Sequence, residues 1–199
     1  MNSFNRLLLP LILTCFTSVQ TISNEVNIYS ARQEALIKPL LDKFSESTSI
    51  KVNLVTGKGD ALLTRLINEG ANSPADLLVT VDAGRLYRAQ QADVLKPIDS
   101  AAISKLVPDN LKSSDNMWVG LSIRARVIIY SKDRVNAEDL ASYESLANEQ
   151  WLGKICIRSS SNIYNQSMVA GMIAQNGLEK TEQWLQGFTA NFARKPAGG

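Results

Sequence analysis

Apolar positions along the chain fall into two rhythms, one repeating every second residue and one repeating at helical spacing. Val26-Asn27-Ile28-Tyr29 alternates as a half-buried strand, and Leu36, Leu40, Leu41 and Phe44 then recur as one face of a helix. Lys51 to Val55 predicts a second strand, Gly57 and Gly59 break it, and Asp60 is placed to cap a helix carrying Leu62, Leu63, Leu66 and Ile67. Leu77 to Val81 is almost continuously apolar, which suits a strand covered on both faces. Asp82 then caps a helix through Leu86.

After a looser stretch containing Pro97 and Pro108, Met117 to Leu121 and Val127 to Tyr130 predict two further strands. The pattern restarts beyond Trp151-Leu152-Gly153 with a strand at Ile155-Cys156-Ile157 and a polar loop from Arg158 to Gln166. Two helices follow, one bearing Met168, Val169, Met172 and Ile173, the other Leu178, Trp184, Leu185 and Phe188. Alternating strands and helices imply an α/β fold with a mostly parallel sheet, in two lobes that meet near residues 121–127. Arg194 to Gly199 ends in a turn with no closing element, so the second lobe reads as incomplete.

The first 23 residues set the expected compartment. Arg6 precedes the apolar run Leu7, Leu8, Leu9, Leu11, Ile12 and Leu13, and small polar residues follow up to Ser23, as in a cleaved secretory signal peptide. The run is too short to span a bilayer of about 30 Å. Cys15 lacks the small residue expected before a lipidated cysteine, because Leu13-Thr14 precedes it. The expected organisation is a leader at 1–23, an N-terminal α/β lobe at 24–123 and a partial second lobe at 124–199.

Without the leader the chain carries 20 basic and 19 acidic residues, which advertises neither nucleic acid nor lipid as a partner. Cys156 would be the one remaining cysteine, so no internal disulfide is available; inside an apolar strand it reads as a small buried hydrophobe. There is no histidine, which removes Ser-His-Asp and Cys-His nucleophile systems and the usual zinc sites together. Asp60, Asp76 or Asp82 could still serve an enzyme as acid or base, but caps and strand ends explain them better. The expectation is a protein that is not an enzyme.

In open α/β sheets, ligands gather at the carboxyl ends of strands, so the polar loops there are the places to search. Three qualify: Tyr29 to Gln33, Arg124-Ala125-Arg126, and Ser159 to Gln166. In the last, six of eight residues carry short hydroxyls or amides, with Tyr164 among them just before a helix N-terminus. Such a loop either presents donors to an anion or satisfies the helix's own backbone groups. Arg124 and Arg126 alternate along what reads as a strand, so they are expected on opposite faces with only one turned to a given cleft. From the residues alone, a surface salt bridge is the plainer explanation of both. Tyr29, Tyr87, Tyr130 and Tyr143 read as core or rim residues. Gly57-Lys58-Gly59-Asp60 lacks the length and ending of a phosphate-binding loop and reads as a turn.

Several stretches, in the same order along the chain, resemble the ferric-ion-binding proteins of periplasmic iron importers. They are Val26 to Glu34, Ser73 to Asp82, Arg124 to Ile128, Ile157 to Gln166 and Asn191 to Gly199. The resemblance implies a two-lobed periplasmic-binding-protein fold, type II-like, that closes over one Fe(III) held by tyrosine oxygens, with carbonate or a similar synergistic anion. It implies that Tyr164 is a metal ligand and that Arg124 holds the anion, with Asn162 and Gln33 lining the cleft. An inner-membrane ABC permease and its ATPase are the implied partners of a monomeric, periplasmic protein. Where some branches carry a histidine and tyrosine pair after the first strand, this chain has Gln33-Glu34. The family's adjacent tyrosine pair is expected beyond Gly199, so tight Fe(III) binding is not expected of these 199 residues alone. The alternative is a metal-free receptor for a small anion or organic solute, built on Arg124 and the 159–166 loop.

Overall fold

The computed structural model describes residues 24–198; the expected leader, 1–23, lies outside them. Strand β1 (Glu25–Ser30) is the centre of a parallel sheet of order β2-β1-β3, with β2 at Lys51–Thr56 and β3 at Leu77–Val79. Helix α1 (Glu34–Thr48) joins β1 to β2, and α2 (Gly59–Glu69) joins β2 to β3. Because β3 lies on the opposite side of β1 from β2, right-handed crossovers put α1 and α2 on opposite faces of the sheet. The carboxyl ends of β1 and β3 form the switch point at which such sheets open a crevice. There the Ala31 N–H donates to the Val79 carbonyl at 2.8 Å, tying the two outgoing loops together.

The core of this half is Ile28, Tyr29, Ile37, Leu62, Leu63, Leu66 and Ala89, all buried. Tyr29 donates from its phenol to Glu69 at 2.9 Å, and the Arg65 guanidinium stacks over its ring. The three-stranded sheet is too narrow to cover everything that the periodicity marks as apolar. Leu36, Leu40 and Phe44 of α1 are exposed, and Leu77 of β3 is half open to solvent, contrary to a strand covered on both faces. Asp60 is not the cap of α2. Lys58 holds that position, and Asp60 sits inside the first turn, where its carboxylate accepts from Arg85 and Arg88.

Helix α3 (Ala83–Gln91) follows β3, and the short α4 (Ala101–Leu106) leads into the middle of the chain. The expected strands at 117–121, 127–130 and 155–157 are absent among the described residues. Only isolated bridges form there, Lys112 to Val119 and Ile155 to Phe192. The alternation is present, but a strand needs a neighbour to accept its ladder hydrogen bonds, and among the described residues 121–130 have none. Cys156 is exposed, not buried, since Ile155 and Ile157 pack on the core while the residue between them points out.

Helices α5 (Ile163–Asn176) and α6 (Leu178–Ala190) form the second packing unit. Gly177 alone separates them, and its φ of +86° is a turn conformation that a side chain would strain. Their inner faces meet Leu146 and Trp151 in one core with Met172, Trp184 and Phe188. Trp184 stacks on Phe188 with ring centres 4.5 Å apart, and Phe188 meets Phe192 edge-on at 5.1 Å. Burial of side chains this large contributes about 1.5–3 kcal/mol each, enough to fix α5 although no sheet lies beneath it.

Candidate anion and metal site at the start of helix α5

The first turn of α5 is built by its own sequence. Asn162 is the N-cap, and its side-chain oxygen accepts from the Tyr164 N–H at 3.1 Å, satisfying one of the amides that a helix start leaves unpaired. The preceding serines fold onto one another: the Asn162 N–H donates to the Ser159 carbonyl at 3.0 Å, and the Ser159 and Ser161 hydroxyls are 2.9 Å apart. Gln166 donates to the Ser160 carbonyl at 3.1 Å. Most of the polar character of this loop therefore goes into shaping the helix start.

Tyr164 projects from that turn half-buried, and its phenol oxygen accepts from Arg124 Nη1 at 3.1 Å. One turn position later, the buried Asn165 accepts from Arg126 Nη2 and donates to the carbonyls of Arg158, at 2.7 Å, and Ser159, at 3.0 Å. Both arginines thus reach consecutive residues of α5, and the expected division between opposite faces is corrected. Side chains two apart in an extended chain share a face. Among the described residues neither guanidinium has a carboxylate within 4.0 Å, so the salt-bridge explanation of the pair falls as well.

Asn162 adjoins the Arg124–Tyr164 pair but is occupied as a cap. Gln33 is exposed at the N-cap position of α1, on the switch-point loop, and no hydrogen bond joins it to the pair among the described residues. The sheet and α5 meet elsewhere. Asp82 caps α3, accepting from the Gly84 N–H at 2.9 Å, and the same oxygen accepts from the Ser167 hydroxyl of α5. Gly84 permits this approach, because a methyl group there would lie 3.2 Å from both Ile163 Cδ1 and Ser167 Oγ. The Asp82–Ser167 link and the role of Asn165 were not legible in spacing. Asn165 lies in the 159–166 loop, but composition does not separate it from its neighbours.

Two guanidiniums and the partial positive charge of a helix N-terminus converge here, with no acidic residue in the first turn of α5. That combination suits a small anion, and the Arg fork can grip a planar one with two parallel bonds. The phenol adds an oxygen that suits a hard cation once ionised. Among the described residues, no group of three His, Cys, Asp or Glu side chains is placed to hold a metal, so Tyr164 is the donor this site offers.

Residues 72–196 match the family model described as bacterial extracellular solute-binding protein. The chain is 49% identical over 174 residues to Iron uptake protein A1 of Synechocystis, covering 87% of this chain and 48% of that one. It is 30% identical over 166 residues to the Fe(3+)-binding periplasmic protein of Serratia marcescens, again 48% of that protein. The chain spans about half the length of the curated relatives it matches. Among solved structures, Trichodesmium FutA in complex with iron and citrate ligands superposes with a TM-score of 0.83 at 51% identity, covering 88% of this chain and 55% of that one. Apo FutA2 from Synechocystis gives 0.82 at 46% identity. The chain resembles these two-lobed proteins over the length they share, and it belongs to the bacterial extracellular solute-binding protein family.

Proposed function

We propose that this chain captures Fe(III) as cargo for an ABC-type importer, outside the cytoplasm, with the ion bound to the Tyr164 oxygen and a small anion held by Arg124. The observation that carries this reading is the Arg124–Tyr164 contact. It joins an anion-gripping side chain and a phenol oxygen that lie 40 residues apart in sequence. The names of the relatives point the same way, to iron uptake and ferric binding in the periplasm. Delivery to an inner-membrane permease and its ATPase, a periplasmic location, a monomeric state and the absence of enzymatic chemistry belong to the same reading. So does the division into lobes at 24–123 and 124–199, with Asn162 and Gln33 at the rim of the cleft.

The chemistry follows from the donor set. Fe(III) is hard and highly charged, and a bound cation of that kind stabilises an oxyanion ligand, drawing the proton from a phenol well below the pH at which water would remove it. Arg124 cannot coordinate a metal, but it neutralises and orients carbonate or a carboxylate so that the anion's free oxygens face the ion. As the phenol ionises, its bond from Arg124 carries charge on both partners and strengthens. Movement of the lobes apart, or protonation of the phenolate, would release the cargo.

Titration of the chain with Fe(III) in the presence of bicarbonate, and separately of citrate, tests the reading. A visible band from phenolate-to-iron charge transfer is expected, saturating only at high iron because Tyr164 is the phenol this site offers, and stronger with the anion than without it. An iron-independent uptake of either anion with no visible band would favour a metal-free anion receptor instead.

A further inference from the structure

The Arg126–Asn165 pair lies two residues along the extended segment and one along α5 from the Arg124–Tyr164 pair, and it is the better anchored of the two. Asn165 is 6% exposed and uses its whole amide, accepting once from Arg126 and donating twice to the carbonyls of Arg158 and Ser159. Arg126 is held from its other side too, since the Tyr143 phenol donates to its carbonyl at 3.2 Å. Among the described residues the extended segment from 121 to 130 has no ladder partner, and Leu121, Ile123, Val127 and Ile129 are exposed. Its register against α5 therefore depends on what its inner side grips: Arg124, Arg126 and Ile128, the last packed on the second core.

We propose that Arg126 and Asn165 are positioning residues for the proposed ferric site, a clamp that fixes the extended segment two residues beyond Arg124. Through it the Arg124 guanidinium is held at hydrogen-bond distance from the Tyr164 oxygen. The inference rests on the ferric reading above. It assigns to Arg126 the work of alignment, not of gripping a second anion, because its Nη2 is already engaged by Asn165. The bond uses a single donor, so a lysine ammonium can remake it, whereas glutamine, shorter and uncharged, cannot reach or attract as well. Asn165 has no such substitute. Aspartate would keep the acceptor but present oxygen, not N–H, to two carbonyls.

The test measures Fe(III) affinity with citrate and the position of the visible band for the chain, Arg126→Gln, Arg126→Lys and Asn165→Ala, together with thermal unfolding of each. Arg126 is exposed, so Arg126→Gln keeps the fold even where Asn165→Ala does not, and it carries the decision. The expected result is an affinity loss of about tenfold and a displaced band in Arg126→Gln at unchanged unfolding temperature, with Arg126→Lys recovering most of both. A normal band and affinity in Arg126→Gln would overturn the clamp while leaving the ferric reading intact. No band in the unmodified chain would overturn the ferric reading, and the clamp with it.

Discussion

Arg124 Nη1 donates to the Tyr164 phenol oxygen across 3.1 Å, bridging an unpaired extended segment and the first turn of α5. The arginine is exposed and the tyrosine half-buried, so the guanidinium keeps its remaining donors toward solvent and toward any anion that arrives there. Replacing it separates charge from geometry. Arg124→Met removes both and is expected to lower affinity for the iron–anion pair by about 10- to 100-fold, the equivalent of one charge-assisted bond of about 1.5–3 kcal/mol. Arg124→Lys keeps the charge and loses the fork, and should fall between them. Isothermal titration with ferric citrate would measure both; equal losses in the two variants would mean that the planar fork and not the charge matters, and no loss in Arg124→Lys that charge alone does.

Asp82 links the sheet to α5 while sitting at a φ of +75°, a backbone conformation that disfavours a side chain. Its carboxylate offsets that strain by capping α3 and accepting from Ser167. Asp82→Gly should relax the backbone and lose the bonds, whereas Asp82→Ala loses the bonds and keeps the strain. Alanine is therefore expected to be the more destabilising by about 1 kcal/mol, with Ser167→Ala costing about 1 kcal/mol alone. Urea denaturation ranks the three. Alanine proving the milder change at 82 would contradict the strain assignment.

Stability should fall at both ends of the pH range for separate reasons. The Arg85 hydrogen bonds, aided by the charge of Arg88, hold the Asp60 carboxyl below its usual value. The Ser73 hydroxyl and Arg65 do the same for Glu69. A depressed carboxyl pKa contributes stability above the ordinary range near about 4, and that stability is lost as pH falls through it and below. Burial, then the bond to Glu69, raises the Tyr29 phenol, so its contribution is complete below about 10 and lost as pH rises through the raised value. Unfolding midpoints across pH should show Asp60→Asn with a flatter acid limb and Tyr29→Phe with a flatter alkaline one. Unchanged slopes would remove these groups from the account.

Helices and the parallel sheet were legible in the sequence because their signals are local. The apolar positions of α2, α5 and α6 recur at helical spacing, Asp82 is a cap that its residue type announces, and β1 and β2 alternate. What failed depends on partners distant in sequence. Residues 127–130 have a strand's alternation, yet no backbone among the described residues pairs with them, and Leu36 and Leu40 mark an apolar face that the narrow sheet leaves open. At the site, the resemblance of the chain to ferric-binding proteins pointed to Arg124 and Tyr164, and the fold brings them together. Spacing could not pair Arg126 with Asn165, or Asp82 with Ser167, because each bond spans tens of residues.

Tyr164→Phe tests the central claim most directly, since it removes one oxygen and leaves the turn, its cap and the ring in place. With Fe(III) and citrate, the chain is expected to develop a visible phenolate-to-iron band that the variant lacks, at the same unfolding temperature and with Arg124 still present. A band of equal strength in Tyr164→Phe would show that iron, if bound, is not held by this phenol, and would contradict the account.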